Sequence, residues 1–217
     1  MSSDVGLSWS ALDTPALWTD LDKTERNIAS LAAHFKRAGV NWRPHTKGIK
    51  VPALVHKLLR AGAIGLTCAK VSEAEVMAQA GVTDILVANQ IVTPTKITRL
   101  VNLRASCDVK VCVDTADHVA ALAAAAQARG VTLGVLVELN TGMERSGVLP
   151  GAPALALARR VHEARGLRLA GLMTWEGHNL AFSDPAEKRR GIEASIAKLL
   201  DTVARCRDEG LPIDIVS

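Results

Sequence analysis

The sequence predicts an α/β protein whose parallel strands form a (β/α) barrel. Short apolar runs, typical of buried parallel strands, alternate along the chain with longer amphipathic stretches that suit helices. A doubly wound sheet shares this alternation, but no GxGxxG turn follows the first strand and no GxxxxGK motif is present. The regular spacing of the repeats therefore favours the eight-stranded TIM-type barrel.

Helices are predicted where a start signal and a stop signal enclose an amphipathic stretch. Asp22 with Glu25, and Ser72 with Glu75, have the spacing of a capping box, and glycines follow most of the helical stretches. The helices are expected over residues 23–38, over 52–61, from Ser72 to the stop at Gly81, from Pro94 onward, and over 116–129, 152–164 and 185–209.

Seven strands are predicted between these helices. They are expected at residues 40–45, 64–68, 85–88, 109–113, 133–139, 167–173 and 213–216. A closed barrel of this type needs eight strands, so the barrel domain at residues 23–217 is expected to be incomplete at its C-terminal end. Residues 1–22 are interpreted as a separate N-terminal arm, with an extended run at 16–20.

Charge and aromatic content argue against a nucleic-acid partner. The chain carries 26 Lys and Arg against 22 Asp and Glu, a net charge of +4, and these basic residues are scattered rather than clustered. With 4 Trp, 2 Phe and no Tyr, it also lacks the stacking platforms that single-stranded nucleic acids require. An anionic small molecule is compatible with this composition.

The cysteines and the apolar runs indicate a cytoplasmic protein. The 4 cysteines show no CxxC spacing and are interpreted as reduced, buried thiols. No apolar stretch approaches the ~20 residues of a membrane-spanning helix, and the N-terminus lacks the apolar core of a signal peptide. No membrane partner is expected.

The predicted strands end in unusually polar residues. In a barrel the catalytic groups lie at the C-terminal ends of the strands, where this sequence offers many candidates. In chain order these are Arg43, His45, Lys47, Cys68, Asn89, Gln90, Asp114, Glu138, Asn140, Arg145, Thr174, Trp175, His178 and Ser217.

Lys47 and Arg145 are the most suggestive of these candidates. A lysine held near other cations at a half-buried strand end has a lowered pKa and can attack an aldehyde to form a Schiff base. Periodicity does not distinguish Lys47 from Lys50, and a surface position is the commonest fate of a single lysine. Arg145 lies between Gly142 and Gly147, which suits close approach of the backbone to an anionic oxygen.

His178 and Trp175 form the second pair of candidates. His178 is equally compatible with an acid–base group, which makes it a candidate catalytic residue beside Lys47, and with a loop histidine. Trp175 is compatible with stacking on a ligand ring and equally with packing over the barrel rim.

Five stretches of the sequence carry a family resemblance. They are Thr14-Pro15-Ala16 through Asp22 with Glu25-Arg26-Asn27-Ile28, then Arg43-Pro44-His45-Thr46-Lys47, Ala69-Lys70-Val71-Ser72-Glu73-Ala74-Glu75, Gly142-Met143-Glu144-Arg145-Ser146-Gly147-Val148, and Glu176-Gly177-His178. In these stretches and their order, the sequence resembles the fold-type III pyridoxal-phosphate enzymes, which have an alanine racemase-like barrel. Within that family it is most similar to the D-threonine aldolase and D-serine dehydratase branch.

The resemblance implies a pyridoxal 5′-phosphate site. Lys47 would carry the cofactor as an internal aldimine and later exchange a proton with the substrate α-carbon. Arg145 would contact the phenolic oxygen of the cofactor and favour the phenolate. His45, Trp175 and Ser217 complete the expected cofactor-binding set, with Ser217 as the first residue of the phosphate loop.

The sequence departs from the family pattern at three positions. Trp175 stands where this branch usually has tyrosine or the racemases have histidine, and an indole donates a hydrogen bond but cannot act as a base. Asn140 stands where aspartate is more frequent, and Ile49 where many relatives have a histidine.

The resemblance also implies parts that lie beyond Ser217. These are the eighth strand and a C-terminal β-domain, which the arm at residues 1–22 would join. In this branch the β-domain binds a divalent metal (Mn, Mg or Zn) through a histidine and a cysteine or aspartate, so no metal ligand is expected within these residues. The full-length protein is expected to be a homodimer.

The function implied is that of a lyase acting on D-β-hydroxy amino acids, by retro-aldol cleavage or by elimination of water. The sequence does not separate an aldolase from a dehydratase. One alternative is an amino-acid racemase of the same fold, although two-base racemisation generally uses a tyrosine and the chain has none. Another is a non-catalytic pyridoxal-phosphate-binding homeostasis protein, whose typical Gly-Glu-Asn segment is absent.

Overall fold

Six parallel strands form a single curled sheet, in which neighbouring strands follow one another in chain order. The computed structural model describes residues 6–217. The strands are β1 (Leu66–Cys68), β2 (Asp84–Gln90), β3 (Asp108–Val113), β4 (Leu133–Leu139), β5 (Leu167–Thr174) and β6 (Ile215–Val216). Parallel neighbours need a crossover connection, and a helix supplies each one. The predicted barrel-type α/β fold is confirmed as a partial barrel.

Within residues 6–217, seven α-helices pack around this sheet. They are α1 (Leu21–Ala38), α2 (Pro52–Arg60), α3 (Val71–Gln79), α4 (Pro94–Leu103), α5 (Ala116–Arg129), α6 (Ala152–Glu163) and α7 (Pro185–Asp208). The glycine stops are confirmed at Gly39 and Gly130, which adopt φ values of 66° and 69° after α1 and α5. None of the helices within residues 6–217 is long and apolar enough to cross a membrane.

The predicted strand at residues 40–45 is wrong in its form. The segment is extended beside β1, and the carbonyls of Trp42 and Pro44 accept hydrogen bonds from Ile64 and Thr67 at 3.1 and 2.9 Å. Only an isolated bridge between His45 and Thr67 is formed. Because Pro44 has no N–H, it cannot donate to a ladder, and the segment stays an incomplete edge.

The two predicted capping boxes are also displaced. Helix α1 begins one residue before Asp22, and its cap is Asp20, whose carboxylate accepts the backbone N–H of Lys23 at 3.0 Å. Helix α3 begins at Val71, so Ser72 lies inside its first turn. At this end the Glu73 carboxylate reaches back and accepts the N–H of Ala69 at 2.8 Å.

Apolar side chains fill both faces of the sheet. Valine, leucine and isoleucine residues from alternate strand positions pack outward under the helices, and the cysteines are buried and free, as predicted. A smaller cluster fills the concave face, formed by Leu86, Cys112, Leu136, Ala170 and Met173. Two of these side chains, Leu86 and Met173, also line a cavity on the concave face.

Charged side chains occupy the concave face at the N-terminal ends of the strands. Lys110 is 4% exposed, and its Nζ lies 2.8 Å from Asp84 Oδ1 and 2.7 Å from Asp108 Oδ2. Arg43 binds the same Asp84 carboxylate, with Nη1 to Oδ1 at 2.6 Å. Gly65 leaves room for this pair, because a Cβ there would collide with the Arg43 guanidinium. The barrel floor is therefore an ion-pair cluster.

The described part of the N-terminal arm, residues 6–20, contains no strand. The extended run at 16–20 pairs with no strand within residues 6–217, and Trp9, Leu17 and Trp18 are largely exposed. Residues 1–5 of the predicted arm lie outside the described residues. The expectation that the arm joins a second domain stays a prediction.

Candidate active site

A cavity of about 310 Å³ opens at the C-terminal ends of the strands, on the concave face. Six residues were given a catalytic or cofactor-binding role above, and five of them line this cavity: His45, Lys47, Arg145, Trp175 and Ser217. A neighbouring cavity of about 410 Å³ shares three of these side chains, His45, Lys47 and Arg145. The structure thus brings together residues that lie far apart in the sequence, from His45 to Ser217.

Lys47 reaches this cavity from a short 3-10 helix, Thr46–Gly48, that follows the extended edge segment. The turn is fixed to β1, because Thr46 Oγ1 donates to the carbonyl of Thr67 at 3.1 Å. Lys50, the alternative candidate, adopts a φ of 51° and its Nζ pairs with Glu73 Oε1 at 2.8 Å. Of the two lysines, only Lys47 lines either cavity.

Trp175 faces Lys47 across the cavity. The Lys47 Nζ lies 5.7 Å from the centroid of the indole ring, within the range of a cation–π contact. The ring folds back over Gly177, where a Cβ would collide with the indole Nε1. A glycine two residues after the tryptophan is therefore what permits this orientation.

His45 is an uncharged hydrogen-bonding group beside the lysine. Burial lowers the pKa of its imidazole, and the positive charge of Lys47 lowers that pKa further. The backbone N–H of Lys47 donates to His45 Nδ1 at 3.1 Å, so the proton of the neutral ring lies on Nε2. The ring can therefore donate from Nε2 without adding positive charge to the cavity.

Arg145 is carried by a tight loop, residues 140–147, that follows β4. Asn140 Oδ1 accepts the backbone N–H groups of Gly142 and Glu144, both at 3.1 Å. At the other end, Gly147 has a φ of 101°, and a Cβ there would lie 2.5 Å from the backbone N of Asn140. Both ends of the loop are thus fixed, and its cation faces the cavity.

A buried carboxylate on the cavity wall had no role assigned from the sequence. Glu138 is 5% exposed and lines both cavities. Its Oε2 accepts from Gln90 Nε2 at 2.6 Å and its Oε1 from Ser146 Oγ at 2.9 Å. Gln90 reaches it because the β2 register shifts between Val87 and Gln90. In the sequence, Glu138 can be recognised as the one charged residue in an otherwise apolar strand, at a position that faces inward.

The sequence profile described as alanine racemase, N-terminal domain, matches residues 19–217. The chain belongs to this family. Among curated proteins, it is 35% identical over 216 residues to a 3-hydroxy-D-aspartate aldolase of Paracoccus denitrificans (strain Pd 1222), covering 98% of this chain and 55% of that protein.

Solved structures of an aldolase and a dehydratase also match the chain. A crystal structure of D-threonine aldolase from Filomicrobium marinum matches with a TM-score of 0.92 and 42% identity, over 94% of this chain and 55% of that one. D-threo-3-hydroxyaspartate dehydratase from Delftia sp. HT23 matches with a TM-score of 0.86 and 35% identity, over 95% and 55%. The chain spans about half the length of the relatives it matches.

His178 is the sixth residue with an assigned role, and it lines neither cavity of this alanine racemase-type domain. It lies on the 3-10 helix Gly177–Ala181, which places it against the loop that carries Arg145. There the ring packs on Gly142, where a Cβ would lie 2.7 Å from His178 Nε2. Its Nδ1 is buried and has no hydrogen-bond partner among residues 6–217. An acid–base role for His178 stays a prediction.

Metal ligands are not clustered in the described part of the domain. Within residues 6–217 no group of three His, Cys, Asp or Glu side chains is arranged to hold a metal ion. The acidic and imidazole groups at the cavity are instead engaged with protein partners, as Glu138 and His45 are.

Proposed function

We propose that the protein is a pyridoxal-phosphate-dependent lyase that acts on D-β-hydroxy amino acids. The observation that carries this proposal is the convergence of Lys47, Arg145 and Trp175 on one cavity. The relatives support the reaction class, because they are named as aldolases and a dehydratase of such amino acids.

The residues around the cavity fit a phosphorylated pyridoxal. A primary amine is needed to hold its aldehyde, and Lys47 Nζ is the amine that lines the cavity. An aromatic face and a fixed cation are needed for its ring and phenolic oxygen, and Trp175 and Arg145 supply them. Ser217, on the same wall, would contact the phosphate. We infer an aldimine at Lys47, and the bound ring would supply the electron sink for bond cleavage.

The protein side chains have separate tasks in this proposal. Lys47 would hold the cofactor through its amine, and the same amine would hold or remove the proton at the substrate α-carbon. Arg145 would donate hydrogen bonds from its guanidinium and so stabilise an anionic oxygen of the ligand. Neutral His45 donates from Nε2 and orders the Lys47 turn through Nδ1. Trp175 contacts the Lys47 amine through its ring face, at 5.7 Å from the centroid, and would help to orient it.

The remaining parts of the proposal concern the whole protein. We propose that residues 23–217 form the cofactor-binding barrel domain and that the arm at residues 1–22 contacts a second domain. A divalent metal held outside residues 1–217 would activate the substrate β-hydroxyl, and two copies would form a homodimer. A cytoplasmic location remains a prediction that rests on the reduced cysteines.

The test is an assay of the full-length protein with pyridoxal phosphate and D-threonine, D-3-hydroxyaspartate or D-serine, with and without a chelator. Retro-aldol cleavage releases glycine and an aldehyde, which is acetaldehyde from D-threonine and glyoxylate from D-3-hydroxyaspartate, whereas dehydration of D-serine or D-3-hydroxyaspartate releases ammonia and a 2-oxo acid. We expect one of these product pairs, loss of turnover in Lys47→Ala, and loss on chelation. Racemisation without cleavage, or turnover unaffected by Lys47→Ala, would refute the proposal.

A further inference from the structure

The residue before Arg145 carries the opposite charge, and its carboxylate is held out of the cavity. Glu144 adopts a φ of 52°, in the left-handed region, and its Oε1 accepts a hydrogen bond from Asn140 Nδ2 at 3.1 Å. Arg145 lines both cavities, whereas Glu144 lines neither. Of these two adjacent residues of opposite charge, only the cation therefore faces the cavities.

A single amide makes this arrangement. Asn140 Oδ1 accepts two backbone N–H groups of the loop, so its orientation is fixed and Nδ2 must face Glu144. Aspartate at this position would accept the same two N–H groups but could not donate to Glu144. It would place a second carboxylate at the site of the Nδ2 donor and repel the first.

A freed Glu144 carboxylate has a competing partner next to it. Arg145 forms no ion pair with any carboxylate among residues 6–217, so a released Glu144 would have an unpaired cation at the next position of the chain. An arginine that is paired with a carboxylate of its own chain attracts an anionic ligand less strongly.

We propose that Asn140 is a positioning residue, which holds Glu144 outside the cavity so that Arg145 faces the ligand as an unpaired cation. The identity of that ligand as a phenolic oxygen rests on the function proposed above. The Asn140 amide is thereby matched to Glu144, because it presents a neutral hydrogen-bond donor to the carboxylate.

The test is a charge-exchange cycle in the full-length protein, titrated with pyridoxal phosphate. Asn140→Asp should weaken cofactor binding about 10-fold, because the two carboxylates repel and Glu144 turns to Arg145. Glu144→Gln should bind like the wild type, since the Asn140 amide can still donate to it. The double variant Asn140→Asp, Glu144→Gln should recover to within about 3-fold, because the glutamine amide then donates to the new carboxylate.

A spectroscopic readout separates this role from a purely structural one. Partial neutralisation of Arg145 should move the pH midpoint of the bound cofactor's visible band to higher pH in Asn140→Asp, and the double variant should restore it. If Asn140→Asp does not fold, Asn140→Ser should weaken binding, and adding Glu144→Ala should restore it.

Two outcomes overturn the inference: wild-type affinity and midpoint in Asn140→Asp, or a double variant as weak as Asn140→Asp. The inference is also overturned if adding Glu144→Ala to Asn140→Ser does not restore cofactor binding. These failures differ from failure of the proposed function, in which the wild type itself would show no visible band with pyridoxal phosphate.

Discussion

The Nζ of Lys47 lies 5.7 Å from the centre of the Trp175 ring, so the amine and the indole face each other at the mouth of the cavity. Lys47 comes from the turn before β1, and Trp175 directly follows β5. Their contact therefore depends on the curl of the sheet and on Gly177, which gives the indole its place.

Gly177→Ala is expected to weaken pyridoxal-phosphate binding about 5- to 10-fold, because the new methyl group displaces the indole from Lys47. Gly48→Ala is a matched control, since nothing lies within 4 Å of its added Cβ. Cofactor titration followed by absorbance measures both variants. Equal affinities in Gly177→Ala and Gly48→Ala would show that the indole position does not matter for binding.

Lys47→Ala is expected to abolish the visible absorption band of the full-length protein with pyridoxal phosphate, while Lys50→Ala keeps it. The reason is that Lys47 lines the cavity, whereas Lys50 is paired with Glu73. Absorption spectra of both purified variants test this. Loss of the band on Lys50→Ala alone would reverse the assignment of the two lysines.

Lys110→Met is expected to lower the free energy of unfolding by about 2–3 kcal/mol, because it leaves Asp108 without its buried partner and Asp84 with Arg43 alone. Burial raises the pKa of Asp84, but hydrogen bonds from Arg43 and Lys110 outweigh this, and the net pKa is lowered. Urea denaturation measures the change. Arg205→Gln, which breaks the exposed pair with Asp201, is the control and should change stability little. If both variants lost a similar amount of unfolding free energy, the ion-pair cluster of the barrel floor would contribute no more to stability than an exposed ion pair.

Because of His45, the free energy of unfolding is expected to decrease as the pH falls below about 6.5. Its pKa is lower in the folded protein than the ordinary value of 6.5, so the unfolded chain binds the proton first. The stability is complete above 6.5 and is lost as the pH falls toward the folded pKa. His118, also buried with a lowered pKa, contributes in the same window. Melting temperatures from pH 5 to 8 should therefore show a shallower acid loss in His45→Gln than in the wild type, and identical slopes would exclude His45 as a contributor.

The glycine stops and the polar strand ends were predictable because their causes are local. A left-handed residue after α1 or α5 requires Gly39 or Gly130 whatever the helix packs against. The convergence of Lys47, Arg145 and Trp175 followed from the rule that parallel strands bring their C-terminal ends to one edge. The segment at residues 40–45 was mistaken for a strand, because its apolar pattern outweighed the missing N–H of Pro44.

The sequence by itself determined the alternation of strands and helices, the family, and the set of side chains at the strand ends. Only the tertiary structure placed Lys47 rather than Lys50 at the cavity, placed Glu138 on the cavity wall, and packed His178 against the Arg145 loop. The physical reason is one of range. Secondary structure and caps depend on residues a few positions apart, whereas the partner of a side chain depends on the curl of the sheet. An ion pair with Glu73 holds Lys50, and the absence of a side chain at Gly142 leaves room for the His178 ring.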